Sequence, residues 1–329
     1  MKVPMMSAVR FDGSCVGVEK VRRVRPATGQ VLVRVTAVAI DRTDAEIHDG
    51  PHPVRLDNTG GRTLGRHATG TVAAPGAGVD GWPLGRPVVL QPEVRVRRGW
   101  FVPGVEHDGG LADYVVAPVE ALVPLPGDLS PSVGVQLALA ARAGSMLTHA
   151  RLSPGESVGI WGAGALGSAV LAVARALGAA PIVVIDPREE ARAAARNLGA
   201  DASLDPTEAD LPERVHELTG RSGFDVALHL APDPAAAEQI LAGLGPRGRG
   251  VLAGPAQRIG GIERWDGRTL SGAPRVDPGA LPRLAHLASQ GRLRLPVRPS
   301  LPGELSTAAE LLDAAVRGGV AIEPRLLSL

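Results

Sequence analysis

The sequence predicts an α/β protein of two domains, in which a β-rich domain is interrupted by a doubly wound parallel sheet. The chain has 329 residues, more than a single hydrophobic core usually organises. Short Val-rich segments separated by Gly and Pro fill roughly the first 125 residues. Regular strand–helix alternation follows from about residue 135, and such alternation is typical of a parallel sheet covered by helices.

The first domain is predicted to be a small, irregular β-barrel. Its predicted strands are 30–40, 69–74, 87–91 and 112–117, and glycine or proline interrupts nearly every gap between them. The predicted helices 278–290 and 305–316 are assigned back to this domain. The resulting boundaries are 1–138 and 276–329 for the first domain and 139–275 for the second.

The second domain is predicted to alternate between strands and helices. A long Ala- and Leu-rich helix, 136–150, leads into it. The predicted strands are 157–161, 182–185, 225–230 and 250–254, and the predicted helices between them are 168–177, 189–198 and 234–244. This order indicates a parallel doubly wound sheet.

Composition and charge indicate a small-molecule partner. The 35 basic residues nearly balance the 34 acidic ones, and the scattered arginines form no nucleic-acid-binding or membrane-surface pattern. One cysteine, Cys15, permits neither an intrachain disulfide nor a site of several thiolates, which favours a reducing compartment. No apolar stretch is long enough to span a membrane, and no export signal is visible. We expect a cytoplasmic protein.

A glycine-rich loop between a strand and a helix predicts a dinucleotide site. Glycines occupy its first, third and sixth positions, Gly162, Gly164 and Gly167, with Ala165 and Leu166 between the last two. The first glycine permits a tight turn, the second lets the backbone approach a pyrophosphate, and the third allows close helix–sheet packing. The loop therefore predicts a Rossmann domain.

Asp186 strengthens this prediction and favours NAD. It follows the next predicted strand, nineteen residues beyond Gly167, where a carboxylate accepts the ribose hydroxyls. The same charge repels the extra phosphate of NADP, a repulsion that Arg188 partly offsets. The alternative is a tight turn in which Asp186 caps the following helix.

The whole chain resembles the medium-chain dehydrogenase/reductase superfamily, zinc alcohol dehydrogenase type. The resemblance rests on the glycine loop and on four further segments, 37–44, 64–72, 108–114 and 267–272. It implies a chaperonin-10-like catalytic domain joined to the Rossmann domain, and a homodimer formed through the edges of two Rossmann sheets. It also implies further cofactor contacts, which we assign to Arg42, Gly254 and Arg268.

The positions that hold zinc in such relatives carry other residues here. The resemblance aligns Asp41 with a cysteine ligand, Arg66 with a histidine ligand, His67 with a glutamate and Ala138 with the third ligand. Segment 93–101, where relatives carry a four-cysteine zinc lobe, contains no thiol. Zinc catalysis needs three protein ligands, so we expect no metal. A site built from Asp41, His67 and His107 is the alternative.

The resemblance also suggests which side chains act without zinc. Thr43 matches a hydroxyl that passes a proton to or from substrate, and Glu46 falls where some relatives carry a relay histidine. Asp41 and His67 are candidates for general base and acid, and Arg66 for binding an oxyanion or a substrate carboxylate. In the structural alternative, Asp41 and Arg66 form a salt bridge and His67 is a packed core residue.

Three functions follow from these observations. The leading one is a zinc-independent NAD(H) oxidoreductase acting on a small alcohol, carbonyl compound or activated alkene. The second is a redox-neutral epimerase, lyase or cyclase that uses bound NAD transiently or structurally. The third is a catalytically inactive protein that binds dinucleotide.

Overall fold

The chain divides into two compact units. The computed structural model describes residues 4–40, 44, 61–97, 99–220, 222–231, 235–253, 262–265, 267–296, 300–301, 303–318 and 325–329. The first unit comprises Met1–Leu139, Pro278–Gln290 and Val297–Leu329; the second comprises Ala140–Asp277 and Gly291–Pro296. Of the residues described, no helix is long and apolar enough to cross a membrane.

The first unit is built mainly from antiparallel strands. In the described part of the chain they are β1 Met5–Phe11, β2 Val16–Arg22, β3 Gln30–Ile40, β4 Arg62–Thr63, β5 His67–Pro75, β6 Pro87–Leu90, β7 Val94–Val96, β8 Gly99–Phe101, β9 Tyr114–Pro118, β10 Leu122–Pro124, β18 Ser300–Leu301 and β19 Arg325–Ser328. The largest sheet has the order β10-β6-β5-β3-β19-β18. Strand β9 pairs with residues 30–34 of β3. Strands β18 and β19 are the one parallel pair of this described part.

Strand β3 organises the core of this unit. It pairs antiparallel with β5, β9 and β19, so its backbone is hydrogen-bonded to three partners along its length. Val31, Val33, Val35, Val38 and Ile40 are buried in one apolar cluster. Valine and isoleucine suit such a strand because their branched side chains pack well on a pleated surface.

The second unit contains a doubly wound sheet. Its strands are β11 Val158–Trp161, β12 Ile182–Ile185, β13 Ala202–Leu204, β14 Phe224–His229, β15 Leu244–Leu252, β16 Ile262–Trp265 and β17 Arg268–Gly272. Their order is β13-β12-β11-β14-β15-β17-β16, with β16 antiparallel to β17 and every other pair parallel. The order reverses on either side of β11, which places the ligand crevice of such a sheet beyond the carboxyl end of β11.

A short 3-10 helix spans Val119–Ala121, and bounds are described for seven α-helices. They are α1 Pro131–His149, α2 Ala165–Ala176, α3 Glu189–Asn197, α4 Leu211–Leu218, α5 Ala236–Gly243, α6 Ala280–Ser289 and α7 Leu305–Gly318. The predicted fold class is confirmed, a β-rich domain together with a Rossmann domain. Other elements were not predicted, because they are short or lack strong periodicity: strands β1, β2, β4, β7, β8, β10, β13, β16, β17, β18 and β19 and helix α4.

One predicted boundary is wrong at a place that concerns the site. The sequence predicts that the first Rossmann helix opens at residue 168, but α2 begins at Ala165. Gly167 therefore lies in the first turn of α2 and not in the loop before it. A small residue is required there because the turn packs directly on the preceding backbone.

Candidate cofactor site

The glycine loop turns sharply between β11 and α2. Gly162 has φ +103°, a conformation that side chains disfavour, and its N–H donates to the carbonyl of Ile185, 2.8 Å away on the next strand. Gly164 is the N-cap of α2, with an extended backbone and no side-chain cap. The unfilled amides of a helix N-terminus form a favourable site for an anion.

The other two glycines of the motif have opposite surroundings. A Cβ on Gly167 would collide with the carbonyl oxygen of Gly162, so this glycine is required by the fold itself. A Cβ on Gly164 would meet no atom within 4 Å. The space at Gly164 is thus open above the N-terminus of α2. An open backbone face at this position fits a cofactor pyrophosphate, which must approach the main chain closely.

Asp186 follows β12 and is almost wholly buried, with a side chain only 4% exposed. Its Oδ2 accepts hydrogen bonds from the Ala163 N–H at 2.8 Å and from Arg188 Nη2 at 3.0 Å. Its Oδ1 accepts from the Arg188 N–H and from Arg188 Nε, both at 3.0 Å. The structure therefore places the predicted Asp186 and Arg188 beside the glycine loop, linked through Ala163.

These contacts keep Asp186 ionised. Burial by itself raises the pKa of the carboxyl group, but the hydrogen bonds from Arg188 and from the Ala163 N–H outweigh it and lower the pKa below its ordinary value. The carboxylate is consequently a permanent acceptor at neutral pH. An ionised acceptor at this point is what a ribose hydroxyl pair requires.

A second arginine supports the turn that carries Asp186. Arg192 Nη1 donates to the Asp186 carbonyl and to Asp205 Oδ2, both at 2.7 Å, and Arg192 Nη2 lies 2.8 Å from Glu189. Sequence reasoning missed Ala163, Arg192 and Asp205. One feature of the sequence points to these contacts. Arg192 follows Arg188 by four residues, so the two arginines share one face of the helix.

One predicted cofactor residue, Arg268, lies away from this loop. Arg268 is the first residue of β17, a strand that runs parallel to β15 and β14, so it lies at the amino end of the sheet. The glycine loop and Asp186 lie at the carboxyl end. Arg268 is therefore not part of the crevice formed by the loop. Arg42 and Gly254 lie outside the described residues.

Arg66 and His67 lie together at the start of β5 in the first unit. Arg66 is half-buried in the bend before the strand, and His67 is 3% exposed and pairs with Ala39 on β3. Asp41, Thr43 and Glu46, the other predicted catalytic residues, lie outside the described residues.

The side chains at two aligned zinc positions do not fit zinc. A guanidinium such as that of Arg66 offers only hydrogen-bond donors, so it has no lone pair for a metal. Ala138 is fully buried in α1 and carries only a methyl group. Within the described residues, no group of three or more His, Cys, Asp or Glu side chains is arranged to hold a metal ion.

His107, a ligand in the alternative metal site, is packed within the first unit. Its ring lies 4.9 Å from that of Phe101, centroid to centroid. Burial lowers the pKa of His107, and the positive charge of Arg62 lowers it further, so the ring is neutral at pH 7. A neutral imidazole is competent as a ligand or as a base.

Comparison with known proteins identifies the family. The family model described as "Alcohol dehydrogenase GroES-like domain" matches residues 27–127, and that described as "Zinc-binding dehydrogenase" matches residues 165–263. The L-threonine 3-dehydrogenase of Pyrococcus horikoshii is 31% identical over 243 residues, which cover 70% of each chain. The chain belongs to the medium-chain dehydrogenase/reductase family. It is an alcohol dehydrogenase-like enzyme, as the sequence predicts.

Two solved structures extend the similarity to the whole fold of this dehydrogenase. An alcohol dehydrogenase from E. coli CFT073 complexed with NADH has a TM-score of 0.84 at 19% identity, covering 99% of both chains. A zinc-binding dehydrogenase from Sinorhizobium meliloti 1021 bound to NADP has a TM-score of 0.86 at 23% identity, covering 99% of this chain and 100% of the other. The first of these two proteins was solved with NADH and the second with NADP.

Proposed function

We propose that this dehydrogenase is an NAD(H)-dependent oxidoreductase that acts on a small molecule without zinc. The observation that carries the proposal is the ionised Asp186 carboxylate, hydrogen-bonded to the backbone of the glycine loop. Related proteins of the same fold hold NADH or NADP, which supports an NAD(P)-dependent enzyme; the preference for NAD rests on Asp186.

The chain's own residues bind and orient the cofactor. The amides at the N-terminus of α2 and the open face of Gly164 would hold the pyrophosphate, and Asp186 would accept the adenosine ribose hydroxyls. The nicotinamide, when bound, supplies an acceptor or donor for two electrons and a proton. A carboxylate among these groups favours NAD because the phosphate of NADP carries like charge.

We propose that the substrate reacts among the side chains at and beside the positions that the resemblance aligns with zinc ligands. Without a metal, hydrogen bonds and charges must stabilise an oxygen that gains negative charge, and the Arg66 guanidinium supplies both. Asp41, Thr43, Glu46 and His67 are the proposed proton donors and acceptors. The relatives' names include dehydrogenases of L-threonine and of a sugar acid, so we propose a small alcohol, carbonyl compound or activated alkene as substrate.

Direct binding of NADH tests the role of Asp186. Asp186→Asn removes the charge but keeps the size, and we expect the affinity for NADH, measured by calorimetry, to fall about tenfold or more because charge-assisted hydrogen bonds are lost. Asp201→Asn is the matched control. Asp201 also accepts a backbone N–H and an arginine, but it precedes β13 at the other end of the sheet. Equal losses in both variants would contradict the assignment.

A redox-neutral reaction is the second candidate, and the residues at the aligned zinc positions fit it as well as they fit the first. Arg66 and Ala138 cannot hold the metal that relatives of this type use to activate an alcohol, while the nucleotide loop is intact. The two candidates separate by absorbance at 340 nm during turnover. Net NADH change proportional to product supports the oxidoreductase, and product without net change supports the second candidate.

The proposed assembly is a cytoplasmic homodimer that joins the edges of two Rossmann sheets. The described sheet has β13 at one edge and β16 at the other, and β16 runs antiparallel to β17. A dimer by sheet extension would therefore use one of these edge strands and not β17. Light scattering in solution tests the dimer.

A further inference from the structure

The first unit contains a surface cleft that the proposed function does not use. Residues of β1, β4 and β9 and of the loops that follow β2 and β8 line it, and its volume is about 230 Å³. Drug-sized ligands occupy pockets of about 300–1,000 Å³, so this cleft fits a smaller molecule. Neither Arg66 nor His67 lines the cleft, and the glycine loop belongs to the other unit.

Two opposite charges lie side by side in the wall of the cleft. Asp108 Oδ1 lies 3.5 Å from Arg62 Nη1 and accepts a hydrogen bond from the Thr63 N–H at 3.0 Å. The Gly109 N–H donates to the Thr63 carbonyl at 2.9 Å, which joins the loop that carries Asp108 to the strand that carries Arg62. The Arg62 side chain is only 10% exposed. The fold therefore fixes the positions of both charges.

The Asp108 carboxylate keeps one oxygen for a ligand. Its contacts with Thr63, Arg62 and Arg10 are all made by Oδ1, the last of them at 3.8 Å. Oδ2 accepts no hydrogen bond from the residues that the structure describes, and the side chain is 39% exposed. Each carboxylate oxygen has lone pairs for about two donors. Oδ2 is thus an acceptor for an ammonium group in the cleft.

The lining as a whole carries no net charge. Burial lowers the pKa of His107, and the positive charge of Arg62 lowers it further, so the ring is neutral at pH 7. Among the described residues that line the cleft, Arg62 and Asp108 are then the two that are charged. One positive and one negative group, side by side, match a ligand that carries both charges.

Apolar side chains make up another part of the lining. They include Met6, Val24 and Val116. Val24 is 38% exposed, so apolar surface of this residue is in contact with water. An aliphatic group that covers Val24 removes apolar surface from water on both molecules, and this favours binding.

An α-amino acid carries the matching set of groups. Its carboxylate and ammonium groups are bonded to one carbon, so they lie side by side as Arg62 and Asp108 do. The carboxylate suits the guanidinium, and the ammonium group suits Asp108 Oδ2. We propose that the cleft binds a small aliphatic α-amino acid, whose side chain contacts Met6 and Val24. A ligand with one charge binds more weakly, since Asp108 repels a carboxylate and Arg62 repels an amine.

Calorimetric titration of L-valine into the full chain at pH 7, without cofactor, tests the proposal. We expect a Kd of about 1 mM or tighter. Isovalerate lacks only the amine and isobutylamine lacks only the carboxylate, and each should bind at least about fivefold more weakly, the size of a partly exposed ion pair. Glycine, which lacks the aliphatic group, should also bind more weakly. Because no cofactor is present, the result does not depend on the proposed NAD site.

Asp108→Asn places the amino acid in the cleft. This variant should bind L-valine about fivefold more weakly and should lose the preference for L-valine over isovalerate. Asp113→Asn is the matched control, because Asp113 also accepts a backbone N–H, from Ser7 at 2.7 Å, but does not line the cleft. It should bind L-valine as the wild type does.

Val24→Ser tests the apolar wall at an exposed position, where folding is not at risk. We expect it to bring the affinity for L-valine closer to that for glycine. Three results would overturn the proposal: no heat with L-valine at about ten times the expected Kd, equal binding of L-valine, isovalerate and isobutylamine, or unchanged L-valine binding in both Asp108→Asn and Val24→Ser.

Discussion

At the scale of single residues, two glycines of the nucleotide loop are required for different reasons. Gly167 has no room for a Cβ because the carbonyl oxygen of Gly162 lies against it, whereas Gly164 faces open space. The first constraint belongs to the fold and the second to the cofactor. The glycine motif therefore meets two separate requirements: Gly167 allows the helix to pack on the loop, and Gly164 leaves space for the cofactor.

Paired alanine substitutions separate these requirements. Gly164→Ala should fold with wild-type stability, because its backbone is extended and nothing lies within 4 Å, yet NADH affinity should fall at least about tenfold as the methyl fills the pyrophosphate space. Gly167→Ala should lower the free energy of unfolding by about 1–3 kcal/mol. Urea unfolding and NADH titration of both variants measure the two effects. Wild-type NADH binding by Gly164→Ala would contradict the proposed location of the pyrophosphate.

The sequence predicts which residues surround the loop better than it predicts how they pair. Spacing identifies Gly162, Gly167 and Asp186 because each occupies a fixed place after a strand. The contact of Arg188 with Asp186 depends on backbone direction in the two residues after β12, which spacing does not encode. Arg268 illustrates the opposite error: its motif is recognisable, but the strand direction places it at the other end of the sheet.

At the scale of elements, β11 shows why a glycine stands in a buried central strand. A Cβ on Gly159 would lie 2.6 Å from the Phe224 ring and 2.7 Å from the Trp161 ring. Those two rings pack edge to face with centroids 5.8 Å apart, and both are buried. The missing side chain makes room for two large aromatic groups, a pairing that aromatic-poor composition does not predict.

Gly159→Ala should therefore destabilise the sheet. The rings cannot move into solvent, so we expect the free energy of unfolding to fall by about 1–3 kcal/mol, the range for an overpacked core. Gly17→Ala on β2 is the control, since nothing lies within 4 Å of its Cβ. Thermal unfolding compares the variants. If Gly159→Ala were as stable as Gly17→Ala, this account of the packing of β11 would be wrong.

Segment 93–101 shows what sequence reasoning misses at this scale. From the sequence we concluded only that this segment contains no thiol. In the structure its strands β7 and β8 pair antiparallel, with Val94 opposite Phe101 and Val96 opposite Gly99. The Arg95 guanidinium lies 5.8 Å from the centre of the Trp100 ring. Buried Phe101 and Val94 hold the hairpin to the core of the first unit.

At the scale of the whole molecule, the chain makes two units in which the first is interrupted by the second. The second unit was predictable from its own pattern, because strands of four to six residues alternate with amphipathic helices. The first unit has strands of very uneven length, from two to eleven residues. The pattern therefore predicts only an irregular β-barrel, and the chaperonin-10-like fold is what the resemblance implies. Arg66 and Ala138 stand where the resemblance places zinc ligands, and both parts of the chain nevertheless match the models of the family.

The most direct test of the account is one measurement on protein purified without a polyhistidine tag and treated with a chelator. We predict that calorimetry will find one NADH bound per chain, with the affinity of untreated protein, and that elemental analysis of the untreated protein will find no stoichiometric zinc. Loss of NADH binding after chelation, or one tightly held zinc ion per chain, would contradict the proposal that this protein binds NADH without zinc.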